Sequence, residues 1–282
     1  MAFPDKTLDS SLYGGSWDSN FPLSNLCIKD MALRARSSNL LTTSTTFDGD
    51  LGSITKLRVL GIPGGHNFSI SATIRVRFST VPNFATSVYD SGTVAVYPNY
   101  YDDSSLDWGQ PVLTGGKPNT THAINMRYPI FFVAPTSVNA SYYRVEVVDN
   151  NNPAGYIELR RCFVSPGLQA SVKLEVGASW GLDNLTRESK SLNGTPQYDR
   201  IESPRNVVFT LNNITPEVGS GQYLEASRIL GTDQELFFIA NPDATSMSMR
   251  IQSFMGRLRQ LAPYEYVTGT AVGMGYQIVE SI

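Results

Sequence analysis

His66 and His122 are the only imidazoles in the 282 residues. Acyl transfer by a Ser-His-Asp or Cys-His site needs such a base beside a nucleophile and an orienting acid. His66 stands in the Gly-rich connection PGGHNFS and His122 in NTTHAIN, settings that read as loop histidines bonded to nearby backbone. No H-E-x-x-H, paired CxxC, P-loop, post-strand GxGxxG or G-x-S-x-G occurs, so metalloprotease, kinase, dehydrogenase and hydrolase readings lack their parts. Two acidic clusters, Asp48-Gly49-Asp50 and Asp102-Asp103 with Asp107, could donate oxygens to calcium. Neither has EF-hand spacing, and both read better as solvated turns. Glycoside hydrolysis would need one of Asp102, Asp103 or Asp107 to face a partner acid across a cleft. The expectation is a protein that is not an enzyme, with no catalytic residue, metal site or cofactor.

The strongest candidate contact residues lie in PNYYDDSSLDWGQP, residues 98–111. Tyr100, Tyr101 and Trp108, beside Asp102 and Asp103, are large amphipathic side chains of the kind used by interfaces and sugar-binding platforms. The same residues could instead cap the end of a core, and the sequence favours neither reading.

The rest of the composition narrows the field. Lys and Arg number 22 against 25 Asp and Glu, a net charge of -3, which gives no electrostatic reason to expect nucleic acid. Arg34, Arg36, Arg75, Arg77, Arg160 and Arg161 read as outward strand positions. Two cysteines, Cys27 and Cys162, exclude a disulfide framework or Cys-rich zinc site; one bridge or two thiols packed as small hydrophobes both remain open, the second being preferred. No signal-peptide pattern and no apolar run of membrane-spanning length is present, so a soluble chain is expected. The six N-x-S/T sequons, at Asn67, Asn119, Asn139, Asn184, Asn193 and Asn213, read as a by-product of abundant Asn, Ser and Thr.

Many short strands must position these residues. Charged residues make up only 17%, and Gly, Pro, Asn, Ser and Thr are spread evenly, which suits strands joined by tight turns. Period-two or short apolar runs predict strands at 57–62, 70–78, 93–97, 130–133, 143–148, 156–159 and 172–176. The stretch YYRVEVVDNNNPAGYIELRRCFV, residues 142–164, reads as a hairpin around an Asn-rich turn that closes a sheet. Its Tyr156 and Ile157 would pack inward, and its turn could face a neighbouring subunit. After Gly177 the sequence becomes polar and aperiodic, a boundary or wrap-around segment. Beyond it come strands at 207–211, 235–240, 247–254, 257–261 and 275–279. One helix begins with Thr215 as N-cap and Pro216 at its first position, and ends at Gly231. The expected fold is mainly β: an antiparallel, jelly-roll-like sandwich over 1–176 with an N-terminal arm, then a smaller β-rich docking unit over 177–282 with one helix.

TTFDGDLGSITKLRVLGIPGGHNFSISATIRVRFS sets a Phe and then Asp-Leu-Gly before a strand, a loop and another strand. That order resembles the discoidin or galactose-binding-like β-sandwich over roughly residues 30–176. Leu33-Arg34-Ala35-Arg36-Ser37, Gly155-Tyr156-Ile157 and LFFIANPDATSMSMRIQSFMGRLRQL with the terminal YQIVESI also look like tail-tip proteins of long-tailed bacteriophages. The resemblance implies a structural virion protein, made in the host cytoplasm and placed at the tail tip. It would form a ring of its own copies that connects the tail tube to the distal baseplate or fibre, with tube, tape measure, hub or fibre proteins as partners. The alternative is a carbohydrate-binding module contacting a host-surface glycan through Tyr100, Tyr101 and Trp108; a glycan-cleaving activity ranks last. Leu236, Phe237, Phe238, Ile239, Met247, Met249, Ile251, Phe254, Met255 and Leu258 are concentrated in a small C-terminal unit, and are expected to dock it on an external partner unless the sandwich covers them.

Overall fold

The structure, a computed structural model, describes residues 1–100, 113, 114, 116–118, 127–170, 177–261 and 263–282. It is a mainly β protein with antiparallel sheets. The chain divides into two compact units, Met1–Leu168 with Phe237–Phe254, and Gln169–Leu236 with Met255–Ile282.

Unit 1 is an antiparallel β-sandwich. Its strands are β1 (Ser11–Tyr13), β2 (Ala35–Arg36), β3 (Phe47–Ile62), β4 (Thr73–Ser79), β5 (Tyr89–Asp90), β6 (Val94–Ala95), β7 (Leu113–Thr114), β8 (Lys117–Pro118), β9 (Ile130–Val148), β10 (Glu158–Leu159) and β11 (Phe163–Ser165). The main sheet runs β1-β3-β9-β4-β5, with β11 on β3 and β6 on β4; β2 and β10 form a small second layer. Alternation explains the long strands. Ile74, Val76 and Phe78 of β4 and Tyr143, Val145 and Val147 of β9 point into the core, while Arg75, Arg77, Arg144 and Glu146 point out. Tyr143 lies across Gly49, where a Cβ would sit 2.1 Å from its ring.

Three sequence expectations are corrected here. Residues 142–164 do not form a hairpin: β9 ends at Val148, and β10 pairs with β2 as Glu158↔Arg36 and Leu159↔Ala35. The Asn-rich turn is clamped inward, because Asp149 accepts from Ser69 N (2.9 Å) and Asn152 Nδ2 (2.8 Å), while Asn152 Nδ2 also reaches Asn67 O (2.9 Å). Residues 247–254 are not a strand. Ser246 is extended, a single helical turn follows at Met247–Arg250, and a strand starts only at Phe254. That turn buries Met247 in the sandwich core and leaves Met249 exposed, a one-sided pattern that a short apolar run does not reveal. The C-terminal apolar set is also largely covered by the chain itself: Leu236, Phe237, Phe238, Met247, Phe254, Met255 and Leu258 are buried. Phe237 packs between Phe131 and Phe163, with ring centroids at 6.4 and 6.1 Å, over Gly61, whose missing Cβ makes the space.

Unit 2 contains β12 (Ser179–Leu182), β13 (Arg187–Lys190), β14 (Pro196–Asp199), β15 (Arg205–Ile214), β18 (Tyr264–Thr268) and β19 (Ala271–Glu280); β16 (Glu235–Phe238) and β17 (Phe254–Leu258), whose residues are divided between the two units, belong to the same sheet, of order β12-β15-β19-β17-β16. Strand β18 pairs with β19, and β13 with β14 alone. Val207, Phe209 and Leu211 of β15 and Val272, Met274, Tyr276 and Ile278 of β19 are buried at period two. The helix at 216–230 covers that face with Tyr223, Ala226 and Leu230. It starts as expected at Thr215 and Pro216, loosens into a π-helical turn over Gly219–Leu224, and stops at Gly231, whose φ is 53°.

Candidate functional site

Of the candidate contact residues, only Tyr100 can be placed; Tyr101, Asp102, Asp103 and Trp108 lie outside the described residues, as do Asp107, His122 and the strand expected at 172–176. Tyr100 is half-buried against the sandwich core. Its N–H donates to Gly116 O (2.6 Å), and its carbonyl accepts from Ser248 N (3.0 Å), beside Met247 N to Asn99 O (2.9 Å). The backbone at Asn99 and Tyr100 is therefore held by Gly116 on one side and by the Met247–Arg250 turn on the other.

His66 occupies a buried aromatic cluster. Its Nε2 meets Tyr128 O at 3.0 Å, and its ring lies 4.6 Å from Phe68 and 6.1 Å from Tyr97. Burial lowers its pKa from 6.5 to about 4, so the ring is neutral and donates to the carbonyl. The loop-histidine reading holds in its bonding, though the ring is interior. Burial also pushes the Tyr128 phenol up to about 12, with Arg250 pulling it back.

Asp48 is not a solvated turn residue. It lies in β3, nearly buried, and accepts a bidentate pair from Arg144 at 2.6 and 2.7 Å. The neighbouring outward positions Arg77, Glu146, Arg75 and Asp90 continue a ladder of alternating charge across the sheet. Phe84 folds back over it under the guanidinium groups of Arg77 and Arg144. Among the described residues no group of three or more His, Cys, Asp or Glu is arranged to hold a metal.

Arg75 and Arg77 are the outward residues expected, but Arg161 is not. It has no exposure, and its Nη2 donates to Asp5 Oδ2 at 2.6 Å. Asp5 also accepts from Thr7 N at 2.9 Å. Burial raises the Asp5 pKa, with Arg161 opposing that rise. On the second layer, Arg36 lies between the rings of Phe21 and Tyr156, 4.3 Å from each centroid, and donates to Glu158 Oε2. Burial alone would raise the Glu158 pKa, but hydrogen bonds from Arg36 and Arg34 leave it lowered. Ile157 is buried as expected, whereas Tyr156 is half-exposed under Arg36. Both cysteines are thiols. Burial raises their pKa values, which disfavours the reactive thiolate.

The feature that sequence reading missed lies in unit 2. Every residue of β12, β13 and β14 is exposed, including Trp180, Leu182 and Tyr198, with Leu192 and Leu185 nearby. Tyr266 and Val267 of β18 are also exposed. The signal was single large apolar residues scattered through a polar tract, with no period to mark a strand.

No family model matches the chain, and no curated protein does. Several solved structures are similar to part of the chain. The family 32 carbohydrate-binding module of NanJ from Clostridium perfringens, solved with galactose, is 12% identical, covering 58% of this chain and 98% of that one at a TM-score of 0.39. A fucose-binding module from Streptococcus pneumoniae is 10% identical over 58% and 96%, at 0.38. SpGH29 is 14% identical over 58% of this chain, which spans only 28% of that protein, at 0.38. At these TM-scores the likeness carries no argument about fold or function. No helix among the described residues is long and apolar enough to cross a membrane.

Proposed function

We propose that the chain is a structural protein of a bacteriophage tail tip, held by contacts with its own copies and with other tail proteins. The observation that carries this reading is the uncovered periphery of unit 2. Strand β12 is a sheet edge on which Trp180 and Leu182 stay exposed, 41% and 68% respectively. Open edges bearing large apolar side chains pair with other chains unless covered, and isolated proteins usually blunt them with charge, Pro or a bulge. The tail-tip placement comes from the sequence resemblance. A ring would need two different surfaces meeting head to tail. Sedimentation velocity of the full chain tests the assembly part: concentration-dependent oligomers that Trp180→Ser with Leu182→Ser disperses support it, and a monomer at every concentration opposes it.

A second reading, a carbohydrate-binding module, is favoured by the anchored Tyr100 at the start of a Tyr- and Trp-containing loop. Stacking a ring on a sugar works by desolvating the apolar C–H face. The galactose and fucose recognition named above belongs to those proteins; for this chain it is a proposal. A glycan array decides: specific signals lost in Trp108→Ala support the module, and signals unchanged by it remove the loop as the site.

A further inference from the structure

The hairpin β13–β14 buries nothing. All eight of its strand residues are exposed, and among the described residues it pairs with no other strand. A lone two-stranded hairpin is marginal in water, yet its tip is built with care: Ser191 N donates to Thr195 O (3.0 Å) and Gly194 N to Ser191 O (2.8 Å). We propose that the free edge of β13 pairs, antiparallel and about a two-fold axis at Ser189, with β13 of a second copy of this chain. The inference rests on the reading of the chain as a self-assembling protein and names the surface that two copies share.

Backbone phase and charge lead to this register. Ser191 bonds inward to β14, and inward bonding recurs every second residue of an antiparallel ladder, so Ser189 and Arg187 also face inward, opposite Gln197 and Asp199. The outward N–H and C=O groups of β13 are then those of Glu188 and Lys190, a complete set. On β14 the outward groups belong to Pro196 and Tyr198, and Pro196 has no N–H to give, which blunts that edge. Two-fold pairing of β13 with itself requires opposed residues of the same parity. Centring it on Arg187, Glu188 or Lys190 would set like charges face to face, at a cost. Centring it on Ser189 sets Glu188 opposite Lys190 of the second copy, twice, each pair in the hydrogen-bonded phase. Four N–H···O bonds and two opposite-charge pairs result. Tyr198, opposite Glu188 on the same face, would flank each charge pair, and the exposed Leu192 tip would come beside Leu185 and Thr186 of the second copy. A two-fold contact joins two chains and stops, so it would link rings or other assemblies and would not replace a head-to-tail surface.

The test is charge exchange in the full chain, read by sedimentation velocity, together with a cross-link at the axis. Glu188→Lys and Lys190→Glu should each weaken self-association roughly tenfold, since each turns two attractive pairs into two repulsive ones, and the double exchange should restore it. Ser189→Cys should oxidise to a covalent dimer, because a non-hydrogen-bonded pair holds its side chains close. Gln197→Cys, on the other strand, should not. If the chain self-associates but neither charge exchange nor Ser189→Cys has these effects, this edge is wrong and the assembly reading stands. If the unaltered chain is monomeric throughout and Ser189→Cys gives no dimer, both fall.

Discussion

Replacing Asp5 with Ala should destabilise unit 1 selectively and severely. The carboxylate accepts from Arg161 Nη2 at 2.6 Å and from Thr7 N at 2.9 Å, and it ties residue 5 to Arg161, 156 positions away and just before β11, on which Val164 O accepts from Lys6 N at 2.7 Å. Arg161 has no solvent exposure. Taking the carboxylate from a buried guanidinium costs about 3–5 kcal/mol, a large share of the roughly 5–15 kcal/mol that stabilises a domain. The pair itself need not stabilise the fold. Burial raises the Asp5 pKa despite Arg161, so the stability linked to this carboxyl is fully present below the unfolded Asp value and is lost as pH rises through the folded one. Asp5→Leu with Arg161→Met should therefore be far less damaging than either single change, because an apolar pair avoids desolvating two charges. Urea unfolding followed by fluorescence can separate the units. Trp17 packs edge-on to Phe47 in unit 1 at 5.9 Å, while Trp180 is in unit 2. The transition seen by Trp17 should move to lower urea in Asp5→Ala, with that seen by Trp180 unchanged. A loss below about 1 kcal/mol would refute the reasoning, since that is the range of an exposed pair.

Three further outcomes are expected. Gly61→Val should drive a side chain into Phe237, because even a Cβ at Gly61 would meet that ring at 2.6 Å; a loss of about 1–3 kcal/mol by urea unfolding is expected from such overpacking. His66, lowered from 6.5 to about 4 by burial, supplies stability that is present above the unfolded value and lost as pH falls through the folded one. The swing is roughly 3 kcal/mol, and His66→Phe should flatten the stability–pH curve between pH 6.5 and 4. A fragment of residues 1–168 should be insoluble, whereas the same fragment rejoined by a short linker to 237–254 should fold, since Phe237 and Met247 complete the unit 1 core; circular dichroism and solubility report the difference.

What the sequence disclosed followed from local periodicity. Ile74-Arg75-Val76-Arg77-Phe78 and Val207-Val208-Phe209 alternate because one face is buried and the other is not, and both strands and their inward faces were legible. Thr215-Pro216 and Gly231 marked the helix ends by backbone chemistry that needs no tertiary partner. Pairing was a different matter. Glu158 and Leu159 carry no mark that their strand joins Ala35 and Arg36 instead of β9, because any extended segment can offer the same hydrogen bonds, and the choice is made by distant packing. Asp5 and Arg161 could not be matched across 156 residues, and the run at Met247 had the composition of a strand although it makes one helical turn. The strands β12, β13 and β14 were hidden for the opposite reason: with nothing buried, they have no alternation to read. Of the candidate contact residues only Tyr100 lies among the described residues, so the contact reading of 98–111 stands as an expectation, while the exposed edge of unit 2 was not anticipated.

Electron cryomicroscopy of the tailed-phage particles proposed to carry this chain tests the central claim most directly. The account predicts density for the chain at the tail tip in a fixed number of copies, with Trp180, Leu182 and Tyr266 covered by neighbouring subunits. Particles that assemble and infect without the chain, and show no density for it, would contradict the account.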